Sequence, residues 1–149
     1  MKYKGVDIER LSPQRKPFVM VDEFKSGEPP TSEESLTGAS CTTSLTVRPD
    51  NYFILADREM SETGLIEHNA QSASALAGHV ALQQGAVNPP VGMIAEVKHF
   101  TCQRRPHVGE QVTTTITMGF SFGPMTLCHG TTCIGNDTIC EVDLKIFIR

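Results

Sequence analysis

Near the C-terminus, Cys140, Val142, Leu144, Ile146 and Ile148 alternate with Glu141, Asp143 and Lys145. A period of two puts the apolar set on one face of a strand and the charges on the other. Val91–Phe100, Gln111–Phe120 and Met125–Ile134 also read as strands; in the second, Val112, Ile116 and Met118 alternate with Thr. Turns are predicted at Pro106–Gly109, Gly123-Pro124 and Gly135-Asn136-Asp137, and Gly119–Gly123 reads as turn. Upstream, Phe18–Phe24 and the Thr- and Val-rich Leu36–Val47 read as extended. The Ser26–Thr31 turn joins them.

Between these strand blocks the period changes. From Gly64 to Gln84 the chain is rich in Ala, Leu and Gln, with Ile66, Ala70, Ala73, Ala77 and Val80 at helical spacing. Asp57, Ser61 and Thr63 are candidate caps, and Glu59 and Glu62 suit a helix N-terminus. Gly85 and Asn88-Pro89-Pro90 end the helix, giving a rod of about 20 residues and roughly 30 Å. Its apolar face is made of small residues, which suits close packing on more than one side. Strands, one long helix, then four strands predict an α+β fold with an antiparallel sheet curled round the helix.

The length, 149 residues, suits one domain, assigned to residues 1–149. An apolar fraction of 39% supports an ordinary core. Net charge is −4, with no basic stripe, which argues against a nucleic-acid partner. Five cysteines without a CxxC pair are expected to be reduced thiols. With no signal-like N-terminus and no membrane-length apolar run, the expectation is a cytoplasmic protein without a membrane span. His99, Cys102 and His107 are too loosely spaced for a convincing zinc site, so no metal is expected. Cys128, Cys133 and Cys140 are expected as small strand fillers, with Cys128 and His129 on opposite faces.

The string Leu11-Ser12-Pro13-Gln14-Arg15-Lys16-Pro17-Phe18-Val19-Met20-Val21-Asp22 resembles the opening of hotdog-fold 3-hydroxyacyl-[acyl-carrier-protein] dehydratases, Leu-Leu-Pro-His-Arg-Tyr-Pro-Phe-Leu-Leu-Val-Asp. Leu65-Ile66-Glu67-His68-Asn69-Ala70-Gln71 is similar to that family's Leu-Ile-Leu-Glu-Ala-Met-Ala-Gln. Glu67 and Gln71, four apart, share a helix face. The segment from Val97-Lys98-His99-Phe100 to Pro106-His107-Val108-Gly109-Glu110 is similar, more loosely, to that family's Phe-Arg-Arg-Pro-Val-Val-Pro-Gly-Asp.

The resemblance implies a hotdog domain, usually dimeric, acting on acyl thioesters of acyl carrier protein or coenzyme A in fatty-acid or polyene-type chain synthesis. It implies no cofactor. A base takes the proton alpha to the thioester, and an acid assists loss of the 3-hydroxyl. Glu67 matches the acid, Gln71 its orienting partner, and the helix start would polarise the thioester carbonyl. Phe53, Gly64 and Asn69 are the expected substrate contacts.

The family's base, a His in a His-Phe-Pro-Gly loop, falls on Phe53, which takes no proton. His68 is a candidate replacement. It points about 100° round the helix from Glu67, and the plainer expectation is a partly exposed histidine titrating near neutrality. His79, His99, His107, His129 or a partner chain are the other sources. The divergence resembles the dehydratase-like branch found with aryl polyene pathways, whose members also lack that loop. Three readings stay open: a dehydratase, a non-catalytic acyl-binding subunit of a hotdog heterodimer, and an acyl thioesterase in which Glu67 activates water.

Overall fold

The computed structural model describes residues 1–88, 90 and 92–148. Seven strands form one antiparallel sheet: β1 (Lys2–Lys4), β2 (Glu23–Ser26), β3 (Ser40–Thr46), β4 (Gly92–Cys102), β5 (Gln111–Phe122), β6 (Met125–Ile134) and β7 (Asp137–Ile148). Their order is β1-β2-β3-β5-β6-β7-β4. The sheet curls round α1 (Glu62–Gln83), the architecture expected from the patterning. Pro89 of the expected turn and Val91, the expected start of β4, lie outside the described residues.

The helix begins at Ser61, whose hydroxyl accepts from the Gly64 N–H at 3.2 Å. It is buried on all sides from Gln71 to Val80. Small side chains allow this: Ala73, Ala75 and Ala77 let the sheet approach, and Gly78 lets the N-terminal segment approach from elsewhere. A Cβ on Gly78 would stand 1.8 Å from the Leu11 carbonyl oxygen. Leu45, Leu65, Val112 and Ile139 form a second cluster around the helix start.

Three local expectations are corrected. Phe18–Asp22 is not strand; β2 starts at Glu23. The polar backbone groups of Phe18 and Met20 are taken by helix side chains instead of a neighbouring strand. Gly119–Phe122 is strand, not turn: a register break between Met118 and Ser121 interrupts the alternation while β5 runs on to Phe122. And β1, which the polar N-terminus does not advertise, pairs with β2. Cys128 and Cys140 are buried fillers as expected, whereas Cys133 is only half-buried.

Candidate active site at the acid-bearing helix

Glu67 lies on the first half of α1, half-buried, beside a cavity of about 280 Å³ lined by Gln14, Ala70, Ser74, Met93 and Ile146. Ser74 carries a buried hydroxyl without a hydrogen-bond partner among the described residues. Gln71, one turn on, donates from Nε2 to Glu67 Oε1 at 2.8 Å. The same Nε2 donates to the Phe18 carbonyl at 2.7 Å, and Gln71 Oε1 accepts the Met20 N–H at 2.7 Å. Every polar atom of this amide is used, so its orientation is fixed. Gln71 hydrogen-bonds the extended segment from its side, as a neighbouring strand would.

The motif that precedes it is held in place just as firmly. Arg15 donates to the carbonyls of Ser12 and Gln14 at 2.9 and 2.8 Å. Asp22 accepts from the Thr46 N–H at 2.7 Å and from Arg48 at 3.0 Å. Both are residues of the Leu11–Asp22 string, and both serve to shape the loop that lies over the helix.

His68 is corrected. It is fully buried rather than partly exposed, and burial pushes its pKa below the usual imidazole value. Nδ1 lies 2.6 Å from the Met20 carbonyl and Nε2 lies 2.8 Å from Thr114 Oγ1. A carbonyl only accepts, so Nδ1 carries the proton. With the ring neutral, Nε2 accepts from Thr114. The Thr114 oxygen then accepts from Thr132 at 2.7 Å, and Thr132 accepts from Asn69 Nδ2 at 3.0 Å. His68 therefore has no nitrogen left for substrate.

Asn69, expected at the substrate, is also fully buried. Its amide is committed to Thr132 and to the Leu65 carbonyl, 2.9 Å away. Its Oδ1 faces Gly130, where an added Cβ would come within 2.0 Å. Gly64 spends its N–H on the Ser61 cap, and a Cβ there would meet the Phe53 Cβ at 2.7 Å. Phe53 itself is half-buried against the helix start and stacks edge-on with Tyr52, ring centroids 5.5 Å apart. Tyr52 in turn meets Phe18 at 5.1 Å. Phe18, Tyr52 and Phe53 thus form an aromatic wall beside the helix start.

Within the chain, the site therefore brings together Glu67 and Gln71, leaves Phe53 and Gly64 at the helix mouth, and withdraws His68 and Asn69 into the core. The other histidines are engaged elsewhere. His79 is buried next to Tyr3. His99 and His129 both bond Asp143, at 2.8 and 2.6 Å. His107 pairs with Glu59 at 3.4 Å. His99, Cys102 and His107 thus have separate partners, and no metal-binding cluster forms among the described residues. Among the same residues, no helix is long and apolar enough to cross a membrane.

A seven-stranded sheet round one helix, with an oriented carboxyl near the helix start, defines a hotdog-fold protein. A family described as ApeP-like, ApeP dehydratase, matches residues 6–148. The chain belongs to the ApeP-like dehydratase family. Among solved structures it is similar to the dehydratase heterocomplex ApeI:P from Xenorhabdus doucetiae, with TM-score 0.77 and 16% identity. That match covers 95% of this chain and 90% of the other. A hypothetical thioesterase with coenzyme A from Streptococcus pneumoniae matches with TM-score 0.61 and 7% identity, over 85% of each chain. The E. coli PaaI protein matches with TM-score 0.60 and 8% identity, over 83% of this chain and 82% of the other. These identities show a shared fold. No curated protein matches by sequence.

Proposed function

We propose that this chain supplies the acid half of a 3-hydroxyacyl-thioester dehydratase whose base is the imidazole of a second hotdog chain. One observation carries the reading: Glu67 is oriented beside a cavity, while all five histidines are occupied away from it. On this reading a homodimer would pair two acids with no base.

Gln71 donates to Oε1 of Glu67, which leaves Oε2 to carry the transferable proton. In the complete site the partner's imidazole takes the alpha proton. The freed pair forms the C2–C3 double bond, the C3–O bond breaks, and the hydroxyl leaves as water with the proton from Glu67. The product is the 2-enoyl thioester, carried on acyl carrier protein or coenzyme A, in fatty-acid or polyene-type chain synthesis. The second site of the same dimer, walled by Phe53, lacks a base and stays silent.

The sheet offers the second chain a place to join. β4 is an edge strand, and it exposes Met93, Ile94 and Val97. Apolar residues on an unpaired edge are a template for another strand. The similar Xenorhabdus protein is itself a dehydratase heterocomplex, which supports such a pairing. Five free thiols suit the cytoplasm.

The test is turnover of 3-hydroxyacyl thioesters by the chain alone and by the chain co-expressed with a hotdog partner that bears the His-Phe-Pro-Gly loop. Enoyl product is expected only from the pair, and Glu67→Gln should lower it about 100-fold or more. Enoyl product from the chain alone overturns the shared site. Thiol release without enoyl product favours a thioesterase instead. Full activity with Glu67→Gln leaves the chain a structural subunit.

A further inference from the structure

Where the dehydratase pattern has Ala-Met, this chain has His68-Asn69, a polar pair in the core. Buried polar groups are costly unless their partners are complete, and here the partners run in one direction. Asn69 donates to Thr132, Thr132 to Thr114, Thr114 to His68, and His68 to the Met20 carbonyl. Thr114 and Thr132 sit opposite each other on β5 and β6, so the chain of donors is anchored in the middle of the sheet.

At Met20 the chain of donors meets a second one. The Met20 N–H donates to Gln71 Oε1, and that contact, together with the Phe18 carbonyl that accepts from Nε2, sets which end of the amide faces Glu67. Met20 is therefore held at its carbonyl by His68 and at its N–H by Gln71. Rotate or release Met20, and Gln71 loses one of the two backbone contacts that turn its Nε2 toward the carboxyl. Ser72 ties the same turn to the sheet from the other side, donating to the His68 carbonyl at 2.7 Å while lying 2.7 Å from Thr43 Oγ1.

We propose that His68 is a positioning residue for Glu67, acting through Met20 and Gln71, with Thr114, Thr132 and Asn69 fixing the imidazole for that task. The inference rests on the reading of Glu67 as the acid. It assigns a purpose to a histidine that touches no substrate.

The test replaces Thr114, which contacts neither Glu67 nor the cavity. Thr114→Val removes the donor to His68 Nε2 at nearly constant volume, and Thr114→Ser restores the hydroxyl. The first measurement is amide hydrogen exchange on the chain. In Thr114→Val the Met20 amide should exchange about tenfold faster, while Val142 and Leu144 in β7 keep their native rates. Thr114→Ser should restore Met20. Uniform acceleration of all three amides, or none at Met20, overturns the proposal.

The second measurement is turnover by the two-chain complex. Thr114→Val should lower kcat about tenfold with little change in KM. It should have no further effect in a Gln71→Ala background, because the relay passes through Gln71. A full multiplicative loss in that background overturns the proposal. If the unsubstituted complex makes no enoyl product, the reading of Glu67 fails on its own, and Met20 exchange still decides whether the relay exists.

Discussion

The two halves of α1 are both buried, and they are buried for opposite reasons. From Ala73 to Val80 the helix presents mostly Ala, Leu, Gly and Val, with Ser74 and His79 as the polar exceptions, to a sheet and a loop that close in on it. Shape governs there. From Leu65 to Ser72 it buries His68, Asn69, Gln71 and Ser72, each engaged in at least one hydrogen bond. Connectivity governs there. The first kind of core is sensitive to added volume, and the second to the loss of a donor, even though Asn69 Oδ1 already lacks a partner among the described residues.

Substitutions separate the two regimes. The largest loss is expected at Gly78→Ala, because the new Cβ meets backbone at Leu11 rather than a flexible side chain. A cost of about 3 kcal/mol or more follows from overpacking against an unyielding neighbour, and urea unfolding checks it. In the polar half, Asn69→Leu keeps the branched outline of the side chain but strips Thr132 and the Leu65 carbonyl of their donor. A cost of about 1–3 kcal/mol is expected. A stabilised Asn69→Leu would show that the network serves something other than the fold.

The pH dependence is smaller and has a definite sign. His68 is held neutral by burial, with its folded pKa below the unfolded one. As pH falls below about 6.5 the unfolded chain takes a proton that the folded chain refuses, so stability drops by up to about 1.4 kcal/mol per pH unit. Buried His79 shifts in the same direction and adds to the loss. Unfolding curves at pH 7.5 and 5.5 test this, and His68→Gln should flatten the difference.

Exposed His129 has the opposite sign. Its hydrogen bond to Asp143 raises its pKa, so the pair's contribution is present below about 6.5 and fades as pH rises through the raised value. Asp143→Asn should therefore cost more at pH 6 than at pH 9. The amount should stay under about 1 kcal/mol for so exposed a pair and shrink in high salt. Smallest of all on stability is Glu67→Gln, expected within about 0.5 kcal/mol of the parent chain. A substitution expected to leave the fold unchanged while lowering turnover about 100-fold would separate chemistry from packing on this helix.

These halves are not equally legible in the sequence. Small residues at helical spacing announce the apolar half, and the alternation from Cys140 to Ile148 announces the strand beneath it. Glu67 and Gln71 are legible because a shared helix face is a matter of spacing alone. His68 is not, since a polar residue near a helix start ordinarily faces water. A signal is present all the same: in β5, Thr114 occupies an inward position between Val112 and Ile116, and Thr132 does the same in β6. A hydroxyl on the apolar face of a strand needs a partner, and His68 and Asn69 are the polar groups that provide it. The Phe18–Asp22 segment reads as strand because its extended pattern is real, whereas the Phe18 carbonyl and both backbone groups of Met20 are bonded by helix side chains.

One consequence of the Met20 clamp concerns how the protein can be watched. The proton on the Met20 nitrogen is shared with the very amide that aims the acid. Its exchange with solvent is therefore a clock for the geometry of the site, readable without substrate, without the second chain and without turnover. Any ligand, partner or substitution that tightens or loosens the acid should change the rate of that clock before it changes anything else.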